Sequence, residues 1–313
     1  MPRLKVHNAG FLTTVQDTGR FGYSHFGISA SGAADPVSLH IGNLLAGNDI
    51  NAAALEMTLT GGEFEFEEDA IIAITGSDFH PKIDNVNIPL WRSIKIRGGQ
   101  KLKFASTSEG ARCYFCIHRG INVPKIFGSS STHLLTGLGG FSGRALKKND
   151  ILFYRSGETD ISFYQLRPEI IRELSERKFI RVTEAPQMDH FSKATLDIFS
   201  STPYIVTEEI NRMGLRLSGK ELGRINNSDI ITEGVSLGAI QVSHDGQPII
   251  LFVEHQTTGG YPKIANVISA DIHKVGQLRP RDEVYFLFVS LDEAHKQRLY
   301  LESLVSKTSF IKI

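Results

Sequence analysis

The apolar runs of this chain have the length of β-strands, and turn residues separate them. Ala70–Ile74, Pro248–Val253 and Val284–Val289 hold five or six residues each, far below the roughly 20 that a membrane-spanning helix needs. A chain cut in this way folds into short strands joined by tight turns. The pattern is clearest over residues 232–271. There Gly238-Ala239-Ile240-Gln241-Val242 and Pro248-Ile249-Ile250-Leu251 flank Asp245-Gly246, a hairpin signal. The second run leads into Glu254-His255-Gln256-Thr257-Thr258-Gly259-Gly260-Tyr261. Adjacent glycines let a backbone bend sharply and turn its N–H groups toward a ligand. An ordinary Gly-Gly turn between strands fits the same residues, and both readings stand at this point.

Leu4–Val6, Gly10–Val15, Ala54–Leu59, Glu63–Phe66, Ala70–Thr75, Arg112–Ile117 and Ile151–Tyr154 read as further strands. Glu63-Phe64-Glu65-Phe66-Glu67 alternates with period two, which leaves one face of its strand wet. Pro36–Leu45 reads as a helix, with Asp35 as N-cap and Pro36 at its first position. Gly47-Asn48 stops it. Pro168–Lys178 reads as a linker helix, Phe179–Val182 restarts the strand pattern, and Leu291–Val305 reads as a terminal helix.

One motif occurs twice. Pro81-Lys82-Ile83-x-Asn85-Val86 returns as Pro262-Lys263-Ile264-x-Asn266-Val267, each copy following a Thr-Gly turn and an aromatic residue. Leu4-Lys5-Val6 and Ile180-Arg181-Val182 open the two copies alike. Matched spacing of this kind predicts a duplicated domain. The expected fold is mainly β: two barrel halves, residues 1–165 and 166–313, with a few short helices and the last helix in the second half. Segments 81–104 and 262–286 should then be equivalent β elements. Each half is expected to be a closed or nearly closed barrel, which removes exposed sheet edges.

Lys+Arg and Asp+Glu are 34 each, so bulk binding to nucleic acid or an anionic membrane is not expected. The first residues, Met1-Pro2-Arg3-Leu4-Lys5-Val6, lack the apolar core of a signal peptide. With only two cysteines, a reducing cytoplasm is the expected location. Cys113-x-x-Cys116 lies in an apparent strand, where odd spacing sends the side chains to opposite faces, so the pair reads as structural and no metal site is expected. No P-loop, dinucleotide fingerprint, nucleophile elbow or zinc-protease helix occurs. The missing self-sufficient motif predicts a site shared with another chain, or a binding module.

Several motifs together carry a family resemblance. Gln16-Asp17-x-Gly19-Arg20-x-Gly22, Gly32-x-x-Asp35, Asn43-Leu44-x-x-Gly47-Asn48 and Leu55-Glu56 stand in the first half. Arg212-Met213-Gly214-x-Arg216-Leu217-x-Gly219, Glu233-Gly234-Val235 and Gln256-Thr257-Thr258-Gly259-Gly260-Tyr261-Pro262 stand in the second. Over about residues 4–290 the chain resembles one family, which joins the C subunit of 5-oxoprolinase, allophanate hydrolase subunit 2 and the carboxyltransferase part of urea carboxylase. The resemblance implies two cyclophilin-like β-barrel halves. It departs at Glu254-His255, where Asp-Arg is expected, at Arg119-Gly120-Ile121 for Gly-Gly-Ile, and at Pro280-Arg281-Asp282 for Pro-Gly-Asp.

The resemblance implies a subunit of an ATP-dependent 5-oxoprolinase, opening 5-oxo-L-proline to L-glutamate with an A-like subunit and a B-like, allophanate hydrolase subunit 1 type partner. Such a subunit is expected to be inactive alone. The alternatives are a carboxyltransferase subunit of a urea-carboxylase system and an antagonist of a histidine-kinase inhibitor. The substrate is a small lactam or amide; ATP, with or without Mg²⁺, is the expected cofactor, on this chain or a partner. No biotin-attachment Met-Lys-Met occurs. Opening a lactam through a phosphorylated oxygen needs donors for an oxyanion and for phosphate. Arg20 and Arg212 could supply bidentate donors, or form ion pairs. Thr257, Thr258, Gly259 and Gly260 offer neutral donors, and Gln241 and Gln256 could hold an amide or carboxylate. Glu56 or Asp17 could position water or Mg²⁺, while capping of a loop is the alternative for Asp17. Tyr261 could wall the pocket or pack in the core.

Overall fold

A computed structural model describes residues 1–155, 162–225 and 230–313. The chain forms two compact units. The first comprises Met1–Arg20, Ser31–Glu173 and Val305–Ile313; the second comprises Phe21–Ala30 and Leu174–Leu304. The division is thus not a single cut at residue 165. Phe310–Lys312 pairs antiparallel with Tyr164–Leu166, which ties the end of the chain into the first unit.

The first unit is built on two antiparallel sheets. One has six strands in the order Ile151–Phe153, Arg3–Asn8, Glu63–Phe66, Lys101–Lys103, Lys82–Ile83, Val86–Asn87. The other has five: Leu12–Gln16, Ala54–Thr58, Arg112–Ile117, Ala70–Gly76, Ser93–Ile96. Phe64 and Phe66 of the first sheet meet Phe115 of the second at ring-centroid distances of 5.7 and 5.9 Å. Those rings are buried, as the alternation of Glu63–Phe66 requires. All of Arg112–Ile117 is buried, because its other face meets a helix.

That helix is Pro36–Leu45. Asp35 caps it, accepting from the Ser38 N–H at 2.9 Å. Its close approach to the sheet requires glycine at position 42. A Cβ there would lie 2.7 Å from both Cys116 Sγ and Thr75 Oγ1. Cys113 and Cys116 are free and buried, and burial pushes both thiols up.

In the second unit seven strands close into a barrel. Their order is Phe179–Glu184, Lys263–Val267, Ala239–Val242, Pro248–Leu251, Gly214–Ser218, Tyr204–Ile210, Glu283–Phe288. A parallel pairing of Glu283–Phe288 with Phe179–Glu184 closes the ring. Phe199 of the helix Lys193–Ser201 stacks on Phe286 at 4.6 Å. The hairpin expected at Asp245-Gly246 joins two of these strands, with Gly246 at φ 71°. The terminal helix runs Leu291–Leu304. No helix among the described residues is long and apolar enough to cross a membrane.

The fold is mainly β, but the repeated motif does not mark equivalent elements. Its first copy is a small hairpin, Lys82–Ile83 with Val86–Asn87, at the end of the six-stranded sheet. Asp84 and Asn85 turn that hairpin at φ 47° and 69°. The second copy is one continuous strand with partners on both sides. The expectation that 81–104 and 262–286 are equivalent β elements is corrected: the second segment contains the helix Ile272–Gly276. Of the two units, the first forms two facing sheets and the second closes into a ring.

Candidate functional site

In the first unit, the strand Leu12–Gln16 runs straight into Asp17. Asp17 is buried, and both carboxylate oxygens accept protein donors. Oδ1 takes the Gly19 N–H at 2.8 Å, the Ser129 hydroxyl at 2.6 Å and the Ser131 hydroxyl at 2.5 Å. Oδ2 takes the Ser130 N–H at 2.6 Å. The carboxylate gathers the Ser129-Ser130-Ser131 segment against the strand end. Thr132 continues the attachment, its N–H bonding the Val15 carbonyl at 2.9 Å. Arg20 is buried beneath the same segment and donates to the Ser131 carbonyl.

Glu56 belongs to Ala54–Thr58 and is buried too. Its Oε2 accepts the Ala34 N–H at 2.8 Å and the Tyr114 hydroxyl at 2.6 Å. The Tyr114 oxygen in turn accepts the Asp35 N–H at 2.7 Å. Burial, then the neighbouring Glu56 and Asp35 carboxylates, push the Tyr114 hydroxyl well above its ordinary pKa, so it stays a donor. Glu56 thereby sets the N-terminus of the helix Pro36–Leu45.

In the second unit, Arg212 and Glu254 form a buried ion pair, and the Glu254 N–H bonds the Arg212 carbonyl at 2.7 Å. This pair anchors the start of the loop that carries His255 to Tyr261. The loop is stitched at its far end, where Thr258–Gly259 pairs with Glu233–Gly234. Gln241 is buried on the neighbouring strand and donates to the Tyr261 carbonyl at 3.2 Å. Gly259 lies where two side-chain amides converge. A Cβ there would sit 2.7 Å from Gln241 Nε2 and 3.4 Å from Gln256 Nε2. Gln256 and Thr258 are exposed, Thr257 and Gly260 partly so. Gln256 also borders a cleft of about 430 Å³ that Asn211, Gly214 and Arg216 help to line. The Tyr261 ring meets His244 edge-on at 5.3 Å and the Arg224 guanidinium at 5.8 Å.

Three neighbours of this loop were given no site role from sequence. Lys263 follows the loop and is buried, with its ammonium on Glu233. Gln187 donates to the same carboxylate at 2.9 Å. The Lys263 ammonium holds the Glu233 carboxyl below the usual range. Gln241 and Lys263 are opposite one another in the strand ladder, a pairing that no local sequence signal announces.

The residues named from sequence thus fall into two sets. Asp17, Arg20 and Glu56 stand in internal networks of the first unit. Gln241, Gln256, Gly259 and Tyr261 come together in the second, with Thr257, Thr258 and Gly260 on the same loop. Arg212 supports that loop from beneath.

The model of the carboxyltransferase domain, subdomain A and B, matches residues 26–288. The chain belongs to that carboxyltransferase domain family. It is 39% identical to the 5-oxoprolinase C subunit of Escherichia coli strain K12 over 94% of either chain. It is 35% identical to that of Haemophilus influenzae over 93% of this chain and 94% of the relative. Among solved structures, the K. lactis urea amidolyase superposes with a TM-score of 0.91 at 28% identity, covering 99% of this chain. The matching part is 21% of that larger protein.

Two of the departures from the family pattern now have a backbone meaning. Arg119 and Arg281, each at a position expected to be glycine, adopt φ 65° and 74°. This left-handed region disfavours residues with a Cβ.

Proposed function

We propose that this chain is the C subunit of a 5-oxoprolinase, acting with A-like and B-like subunits in a reducing cytoplasm to open 5-oxo-L-proline to L-glutamate with hydrolysis of ATP. The observation that carries this reading is the collinear 39% identity with the E. coli subunit over 94% of both chains. The loop chemistry suits it. The Gln241 and Gln256 amides, the Thr258 hydroxyl and the Gly259–Gly260 backbone are neutral donors and acceptors. They can hold a lactam amide and steady the oxyanion that forms when its carbonyl is attacked.

The fit to ATP is poor on this chain. Arg20 and Arg212 lie buried against Ser131 and Glu254. Asp17 has both oxygens taken by protein donors, and Glu56 is enclosed with Ala34 and Tyr114. Among the described residues no group of three or more His, Cys, Asp or Glu could hold a metal ion. In this reading a partner subunit holds the nucleotide, and this chain contributes the loop that orients the lactam.

The test is reconstitution. The purified chain alone should not release glutamate from 5-oxoproline and ATP, and addition of A-like and B-like subunits should restore release. A second reading rests on the TM-score of 0.90 to the urea carboxylase of Kluyveromyces lactis. Biotin-dependent carboxyl transfer by the reconstituted mixture, with no glutamate formed, would select it.

A further inference from the structure

The run Ser129-Ser130-Ser131 uses its side chains in alternation. The two outer hydroxyls donate to Asp17. The middle residue, Ser130, has its N–H on Asp17 and its carbonyl on the Gly140 N–H, and is only 4% exposed. Ser130 lines a cleft, and its hydroxyl has no hydrogen-bond partner among the described residues. The hydroxyl opens onto the cleft, so a ligand or water there can take its donor.

The cleft lies in the first unit and has a volume of about 300 Å³. Arg119, Lys125 and Arg155 line it, against one acid, Asp49. A second recess of about 460 Å³ shares Asp49, Arg119 and Arg155 with it. Asn51 also lines the cleft, and its Oδ1 accepts from the Thr18 hydroxyl at 2.9 Å, which leaves its amide N–H groups for another acceptor. Exposed cations alone would be an ordinary solvated patch. Here they line the cleft onto which the Ser130 hydroxyl opens, and Arg119 is held in a left-handed backbone conformation that glycine would take more easily. No aromatic side chain among the described residues lines the cleft, so a nucleotide base has nothing to stack on.

We propose that this cleft binds a small oxyanion, a carboxylate or a phosphate, with Arg119, Lys125 and Arg155 matching its charge and Ser130 donating to it. Planar guanidinium groups suit both anions. The choice of probes rests on the proposed reaction, which yields both L-glutamate and inorganic phosphate. The binding argument does not depend on that reaction.

The experiment is titration calorimetry on the full chain at low salt with L-glutamate, 5-oxo-L-proline and inorganic phosphate, each separately and in competition. At least one should bind, and binding should weaken as salt rises. Saturation by glutamate or oxoproline but not phosphate identifies a carboxylate site, and the converse a phosphate site. Ser130→Ala and Arg155→Gln should each weaken binding about tenfold or more with unchanged melting temperature. Lys5→Gln, on an exposed strand position of the same unit, should bind as wild type. Binding by none of the three, or wild-type binding by both S130A and R155Q, overturns the site. Neither result bears on reconstituted glutamate release, so the two proposals fail separately.

Discussion

In the first unit Asp17 stands at the end of a strand with its carboxylate closed around Gly19, Ser129, Ser130 and Ser131. In the second, Gln256 and Thr258 stand exposed on the loop that Arg212 and Glu254 anchor. Both regions are glycine-rich, polar and prominent in the family pattern. They differ in where the polar atoms point. In the first the Asp17 carboxylate is fully engaged by protein donors and holds a scaffold, whereas the second leaves the Gln256 amide and the Thr258 hydroxyl outside. A residue type in a motif therefore does not tell whether it binds a ligand or holds the backbone that presents one.

The largest effect should come from breaking the scaffold. Asp17→Ala would strand buried N–H and hydroxyl donors, at a cost of about 4 kcal/mol. Urea unfolding should show that loss directly, as a lower midpoint with unchanged slope. Wild-type stability in D17A would mean that Asp17 is free to serve a ligand, and the contrast between the two regions would collapse.

Gln256→Ala and Thr258→Val probe the other side. Each removes an exposed polar group, so the melting temperature should stay near wild type. Activity of the reconstituted complex should fall about ten- to a hundredfold, as for a lost hydrogen bond to a charged group worth about 1.5–3 kcal/mol. Full activity in both variants would reduce residues 256–261 to a structural turn.

Gly259→Ala sharpens the point. The backbone there is not in the left-handed region, so the substitution carries no intrinsic strain. Its methyl group would nevertheless lie 2.7 Å from Gln241 Nε2 and must displace that amide. A loss of about 1 kcal/mol, roughly fivefold in rate, is expected, with little change in unfolding midpoint. The opposite pattern, a destabilised but fully active variant, would show that the glycine serves packing alone.

These contrasts also mark what could be read from the residues alone. Period and turn signals located Pro36–Leu45, Glu63–Phe66, Arg112–Ile117 and the Asp245-Gly246 hairpin, because each depends on local chemistry. The repeated Pro-Lys-Ile-x-Asn-Val misled, because the same motif makes a hairpin in one context and a barrel strand in another. Nothing local states which neighbours a strand will pair with. The loop 256–261 was legible from its glycines and hydroxyls. The burial of Arg20 and Glu56 was not, since it arises from contacts with Ser131 and Ala34 at 111 and 22 residues' separation.

The smallest predicted effect concerns pH. His255 is half-buried beside the exposed loop, and its Nδ1–H donates to the Gln256 carbonyl at 2.6 Å. Burial lowers its pKa, and the bond to Gln256 only partly opposes this. His40, in the first unit's helix, is lowered likewise by burial, with Asp35 opposing. The folded chain thus keeps both imidazoles neutral where the unfolded chain protonates them. Their contribution to stability is fully present above the ordinary histidine value of about 6.5 and is lost as pH falls through it toward the lower folded values. Unfolding midpoints should therefore drop between about pH 7.5 and 5.5 in the wild type. His255→Gln and His40→Gln should each flatten part of that slope. If the comparison between regions holds, only H255Q also changes the pH profile of reconstituted activity, because only His255 adjoins the exposed donors. An H40Q variant that shifts that profile as much as H255Q does would erase the distinction between a scaffold in the first unit and a working loop in the second.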